Sequence, residues 1–274
     1  MMNETVFSIL SVLILTSISL AFTTTTTPVT ASTRILSSST SLNQEKESSM
    51  KGTVFIATSV DGFVARPDGD ISWLTPEEED EGDQHQHYSE DEDSFKKHSD
   101  QDVDDDAHED DDDMGFSALL NSIDCIIMGR KTFDKVKSFG EEFWAYKDTP
   151  IIVYSHDPLH VMGNLPTFLR EKGTISSYQM APRELFQYLH KEYGYKLAYV
   201  DGPTVVQQFL NAGLIDSIHI TSIPILLRQG IRLFDDHEEG LLRDEIKLKL
   251  VESKAFANTG MVSTKYDLIY PDSF

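Results

Sequence analysis

Apolar residues fall in short runs separated by turn-forming residues, and the runs alternate with stretches of helical spacing. Seven runs of four to nine residues read as strands: Thr53–Thr58, Asp124–Met128, Ile151–Tyr154, Lys196–Asp201, Ile215–Ile223, Ile246–Glu252 and Met261–Ile269. Apolar positions three and four apart predict helices over Met114–Leu120, Thr132–Lys137, Pro182–Glu192 and Thr204–Ala212. The last is followed by Gly213, which suits a C′ position. Strands joined through helices predict an α/β fold with a mostly parallel sheet. The helix-poor tail predicts an antiparallel C-terminal edge. Sheets of this kind bind ligands beyond the carboxyl ends of their strands, so the chemistry is expected there.

Two regions break the pattern. Val6 to Phe22 is an apolar run interrupted by Ser and Thr, shorter than a membrane span and about the length of a signal-peptide core. A signal anchor is the alternative. From Thr23 to Asn43, 13 of 21 residues are Ser or Thr, and no acid lies between Glu4 and Glu45. A signal followed by an acid-poor, Ser-rich stretch resembles the bipartite presequences that address proteins to secondary plastids, with Ala21-Phe22 at the junction. A secreted or endomembrane protein with a Thr/Ser stalk is the other reading. Residues 1–50 are therefore expected to be a disordered presequence, with no membrane association once it is removed.

The second region, Thr75–Asp113, holds 20 acidic residues against Lys96 and Lys97. It has almost nothing apolar to bury and is expected to be a disordered insert. His85, His87, His98 and His108 lie within it at spacings that fit no defined metal site, so no metal is expected. Without these two regions 185 residues remain, enough for one core, and a single domain is placed at 51–274, interrupted by the insert. Their charge is about −4 of the formal −23, so nothing forms a basic stripe and nucleic-acid binding is not expected. Cys125, the one cysteine, lies in an apolar run and is expected to be a buried, inert thiol.

Four strand ends carry candidate chemistry. The first strand runs into Ser59-Val60-Asp61-Gly62, where the Asp-Gly pair marks a turn; a simple hairpin is the plain expectation. The second ends at Gly129, followed by Arg130, Lys131 and Thr132 at the start of a helix. Backbone N–H groups, a guanidinium and a hydroxyl there suit a phosphate, although Thr132 could simply cap the helix. The third ends at Ser155. The fourth reaches Asp201-Gly202-Pro203-Thr204, where Pro203 fits the first helical position and the helix N-terminus can face a second phosphate.

Taken in order, these blocks resemble the dihydrofolate-reductase-like superfamily. They are most similar to the C-terminal reductase domain of the bacterial bifunctional riboflavin-biosynthesis deaminase-reductase. The resemblance rests on Ala57-Thr58-Ser59-Val60-Asp61-Gly62, Ser72-Trp73-Leu74, Met128-Gly129-Arg130-Lys131-Thr132-Phe133 and Val200-Asp201-Gly202-Pro203-Thr204. Supporting blocks are Phe209 to Asp216, Ile223 to Leu227 and Gly230 to Phe234. It implies a three-layer α/β/α sandwich, NADPH as cofactor, a small-molecule substrate and frequent pairing as homodimers. By position it implies that Ala57 meets the nicotinamide carboxamide, with Asp61 and Trp73 nearby. Gly129, Arg130 and Thr132 would hold phosphates, Ser155 the adenosine end, and Gly202, Pro203, Thr204 and Val205 the pyrophosphate. The family commonly has Asp-Gly-Gly at the last turn, and Pro203 in place of the second glycine removes one backbone donor.

The activity implied is that of 5-amino-6-(5-phosphoribosylamino)uracil reductase, with Asp61 and Asp201 as candidates for acid or base catalysis. For Asp61 the alternative is plain stabilisation of its turn. A reductase of another pterin-like or small carbonyl substrate is the second reading. A non-catalytic module using its acidic loop for interaction is the third. No zinc deaminase signature accompanies the reductase blocks, and one cysteine could not supply it.

Overall fold

The structure, a computed structural model, describes residues 50–74, 114–234 and 245–271. Almost all of the expected presequence and the whole of the acidic insert lie outside these residues.

Eight strands form one sheet: β1 (Lys51–Ser59), β3 (Cys125–Gly129), β4 (Ile151–Tyr154), β5 (Ile175–Tyr178), β6 (Leu197–Asp201), β7 (Ile215–Ile223), β9 (Lys247–Phe256) and β10 (Met261–Ile269). Their order is β5-β4-β3-β6-β1-β7-β10-β9. Neighbours from β5 to β7 pair in parallel. β10 runs antiparallel to both β7 and β9, which makes the antiparallel C-terminal edge. A separate two-stranded ribbon joins β2 (Phe63–Ala65) to β8 (Ile231–Arg232).

The central strands are apolar on both sides because helices cover both faces. Alternation sends Phe55, Ala57, Ile126, Met128, Ile151, Val153 and Tyr199 to one face. Val54, Ile56, Cys125, Ile127, Ile152, Ala198 and Val200 go to the other. On the first face lie α1 (Phe116–Ser122), α2 (Arg130–Ser138), α3 (Pro158–Gly163) and α4 (Thr167–Lys172), through Phe116, Phe133, Val161 and Leu169. On the second lie α5 (Pro182–Tyr193) and α6 (Pro203–Asn211), through Leu185, Leu189, Val206 and Phe209. Each fully buried Phe or Ile contributes about 1.5–3 kcal/mol. Cys125 is fully buried, and burial, with the Asp124 charge second, pushes its thiol far above the ordinary value.

Several expectations need correction. The turn at Asp61-Gly62 does not close a hairpin: β2 pairs with β8, Ala65 opposite Ile231 and Phe63 opposite Arg232, and not with β1. The helix expected from Met114 begins at Phe116, because Met114 and Gly115 both have positive φ, 54° and 88°. The helix expected from Thr132 begins two residues earlier, at Arg130. The strand expected to end at Glu252 runs to Phe256, an edge strand exposed along most of its length and so poorly marked by apolar residues. Strands β5 and β8 and helices α3 and α4 were not expected at all, and β2 only as the return strand of that hairpin. Each is six residues or fewer, and β5 buries only Ile175.

Candidate active site

Two strand-to-helix turns lie side by side at the carboxyl end of the sheet, as β3 and β6 are neighbours. At the first, Gly129 in extended conformation opens α2, and Arg130, Lys131 and Thr132 make its first turn. Thr132 therefore sits inside the helix, not at its cap. At the second, Gly202 (φ 86°, ψ 131°) opens α6. The Val206 amide closes the first turn on the Gly202 carbonyl at 2.9 Å. Position 203 has no intrahelical acceptor in any case, so the proline there costs the helix nothing.

The turns nearly touch. A Cβ placed on Gly202 would lie 2.5 Å from Thr132 Oγ1, and one on Gly129 would lie 3.2 Å from Val205 Cγ2. Both glycines are thus held bare by the opposing turn. The cleft above them opens into a cavity of about 720 Å³. Its wall includes Gly129, Arg130, Thr132, Ser155, Gly202, Thr204 and Val205, seven of the ten residues expected to hold the cofactor. Ser155 is buried, and its oxygen accepts from the Asp157 amide at 3.1 Å, which leaves its O–H as a donor.

Charge on this wall is mixed. Arg130 donates to Asp134 at 3.0 Å along its own helix, an exposed pair of small worth. Burial first, and the Arg130 charge second, lower the Lys131 ammonium below its ordinary value. An anion between the two cations relieves both effects. Asp157 and Glu184 share the wall, and the Asp157 carboxylate is occupied in capping α3 through the His160 amide. Lys131, His156, Gln179, Met180, Glu184 and Gln208 were not anticipated as wall residues. Gln179 and Met180 follow β5, a strand whose single buried apolar residue gave no signal.

The other three expected cofactor residues stand apart from this wall. Pro203 is buried at the first position of α6. Ala57 and Trp73 are buried together in the first-face cluster, and Trp73 Nε1 is buried without a hydrogen-bond partner.

Neither candidate carboxylate lines the cavity. Asp61 accepts from Ser59 Oγ at 2.6 Å, from the Leu227 amide at 3.1 Å and from the Arg228 amide at 2.7 Å. Burial tends to raise its carboxyl, but those donors outweigh it and hold it below the ordinary value. Asp61 thereby ties the turn after β1 to the loop after β7. Asp201 lies under the second turn, 1% exposed, with Oδ1 accepting from the Gly202 amide at 2.7 Å and Oδ2 buried without a partner. Burial pushes its carboxyl well above the ordinary value, against the weaker pull of the Gly202 amide.

Paired bare glycines, a Thr hydroxyl between helix starts and two adjacent cations are the donor set of a dinucleotide phosphate site, so these residues fit the expected cofactor.

Comparison with known proteins agrees with the fold. The uncharacterized protein YwjB of Bacillus subtilis is 30% identical over 206 residues, which is 75% of this chain and 92% of that one. YyaP of the same organism is 28% identical over 163 residues, 57% of this chain and 80% of that one. A crystal structure named as a riboflavin biosynthesis protein from Shewanella sp. PV-4 superposes with a TM-score of 0.59 at 25% identity, covering 81% of this chain and all of that one. A Thermotoga maritima chain, named as a diaminohydroxyphosphoribosylaminopyrimidine deaminase and 5-amino-6-(5-phosphoribosylamino)uracil reductase, shares the fold with a TM-score of 0.54 at 12% identity. That match covers 81% of this chain and 57% of the Thermotoga chain. The RibD C-terminal domain model matches residues 50–262, and the chain belongs to that family of dihydrofolate-reductase-like reductase domains.

Proposed function

We propose that the protein is an NADPH-dependent reductase of the riboflavin-pathway type, acting on a small soluble substrate. The observation that carries this reading is the meeting of the two turns, with Thr132 Oγ1 seated against Gly202 at the mouth of a dinucleotide-sized cavity. A bound nicotinamide supplies the hydride; the chain's own residues bind and orient. Thr132 and the start of α6 would receive the pyrophosphate. Arg130 and Lys131 would face the phosphate at the adenosine end, and Ser155 the ribose beside it. Ala57 and Trp73 would line the nicotinamide end, where the unpartnered Trp73 Nε1 is a ready donor. On this reading Asp61 and Asp201 position rather than react: one ties a turn, the other supports the Gly202 amide.

Titrating NADPH and NADH into wild type, Arg130→Ala and Thr132→Val tests the proposal. Arg130→Ala should weaken NADPH binding by about 1.5–3 kcal/mol and narrow the preference over NADH. Thr132→Val should cost about 1 kcal/mol with either cofactor. Failure of the wild type to bind NADPH would end the oxidoreductase reading, and full affinity in Arg130→Ala would end the assignment of that wall.

A further inference from the structure

The wall of the cofactor cavity carries a carboxylate that phosphate binding does not explain. Glu184 is the third residue of α5, exposed, in the first turn of a helix where a negative charge is favoured. Among the described residues it accepts no hydrogen bond and forms no ion pair. A free carboxylate beside a polyanion weakens binding by repulsion unless it meets a donor on that ligand. The donors of a reduced dinucleotide are the adenine amino group, the ribose hydroxyls and the carboxamide.

Sheet order decides among them. Strands β5, β4, β3 and β6 follow one another across the sheet. The phosphate turns end β3 and β6, and Ser155 ends β4 at the level of the ribose. Gln179, Met180 and Glu184 follow β5, the edge strand, about 10 Å from β3 at about 4.8 Å per strand. They therefore stand beyond the phosphates and the sugar, where the base lies, and on the opposite side from Ala57 and the carboxamide. Here the wall turns apolar, with Tyr154, Met180 and Ala181. The Tyr154 ring is held edge-on against Phe209, with centroids 5.9 Å apart. Gln179 and Gln208 add amides at the same end. Apolar sides with a few polar groups suit a flat heteroaromatic ring.

We propose that Glu184 selects the base of the cofactor, its carboxylate accepting a hydrogen bond from the 6-amino group of adenine. The inference rests on the reductase reading, in which this cavity holds NADPH. A carboxylate only accepts, so a base with a carbonyl oxygen at that position, as in hypoxanthine, meets repulsion instead of a hydrogen bond. The amides of Gln179 and Gln208 can turn over to serve either base and so do not discriminate. Asp157, the other acid on the wall, follows β4, and its Oδ1 already accepts from the His160 amide at 3.0 Å. A carboxylate at the ribose would choose differently, favouring the free 2′-hydroxyl of NADH over a 2′-phosphate.

The test titrates the full chain with NADPH, its hypoxanthine analogue and NADH, following nicotinamide fluorescence. Wild type should bind NADPH about tenfold or more tighter than the hypoxanthine analogue. Glu184→Gln, whose amide can face either base, should bring the two within about threefold and leave the ratio of NADPH to NADH unchanged. Asp157→Asn should keep the wild-type preference for adenine. Equal binding of adenine and hypoxanthine forms by wild type would overturn the proposal, as would a preference that survives in Glu184→Gln or disappears in Asp157→Asn. A shifted ratio of NADPH to NADH in Glu184→Gln would put the carboxylate at the ribose and overturn it as well. Wild type that binds none of the three would end the reductase reading and this inference with it, whereas NADPH binding without a choice of base ends the inference alone.

Discussion

Gly202→Ala is the sharpest probe of how the two phosphate turns fit together. The residue holds φ 86° and ψ 131°, where a side chain is strained by about 1–3 kcal/mol. The added methyl would also lie 2.5 Å from Thr132 Oγ1, and Thr132 is 2% exposed, with little room to withdraw. Overpacking of this kind costs about 1–3 kcal/mol, so the variant should lose roughly 2–6 kcal/mol in all. Thr132→Ala removes the Oγ1 and leaves the Thr132 Cβ 3.5 Å from the new methyl, an ordinary contact. In the double variant the strain at residue 202 remains and the overpacking goes. Urea unfolding of wild type, both single variants and the double variant should therefore show about 1–3 kcal/mol of favourable coupling, with the m-value unchanged. Additivity to within about 0.5 kcal/mol would refute the close approach and, with it, the shared phosphate site.

Two further predictions concern charge. A carboxyl whose folded pKa is raised binds its proton longer folded than unfolded, so it favours folding below its ordinary 3.8 and that contribution is lost as pH rises. Asp201→Asn should therefore gain stability over wild type as pH climbs from about 4 toward neutrality; parallel stability–pH curves would contradict a buried Asp201 whose carboxyl is pushed up by burial. Asp61 has the opposite sign: its folded carboxyl is depressed, so it stabilises above 3.8 and that stability is lost as pH falls through the folded value. Asp61→Asn should be less stable than wild type near neutral pH, and acid melts should show the gap closing below 3.8; a gap constant with pH would mean the tie does not depend on charge.

The parts legible in the sequence were those with strong local signals. Central strands such as Cys125–Gly129 are continuous apolar runs because both faces are covered, and the glycines at 129 and 202 punctuate them. Thr132, Arg130 and Gly202 could be paired as one site because family order, not spacing, placed them together. Short elements with one buried residue left no trace, and the wall residues Gln179 and Met180 went with β5. Nor could spacing tell that Asp61 would spend its oxygens on amides 166 and 167 residues away.

The place of β1 in the sheet bears on how the domain can be made. Its two neighbours, β6 and β7, lie far along the chain: Tyr199 reaches Phe55 across 144 residues, and Ser217 reaches Thr53 across 164. Such pairings carry a high contact order and form slowly. At about 5–20 residues per second, the ribosome needs roughly 8–30 s after releasing β1 to deliver β7. During that interval Val54-Phe55-Ile56-Ala57 is an apolar strand with neither edge satisfied, a segment prone to misassociation. Nascent chains should therefore depend on holding chaperones until the second half of the domain emerges, and folding should complete in one late step as β6 and β7 close around the first strand.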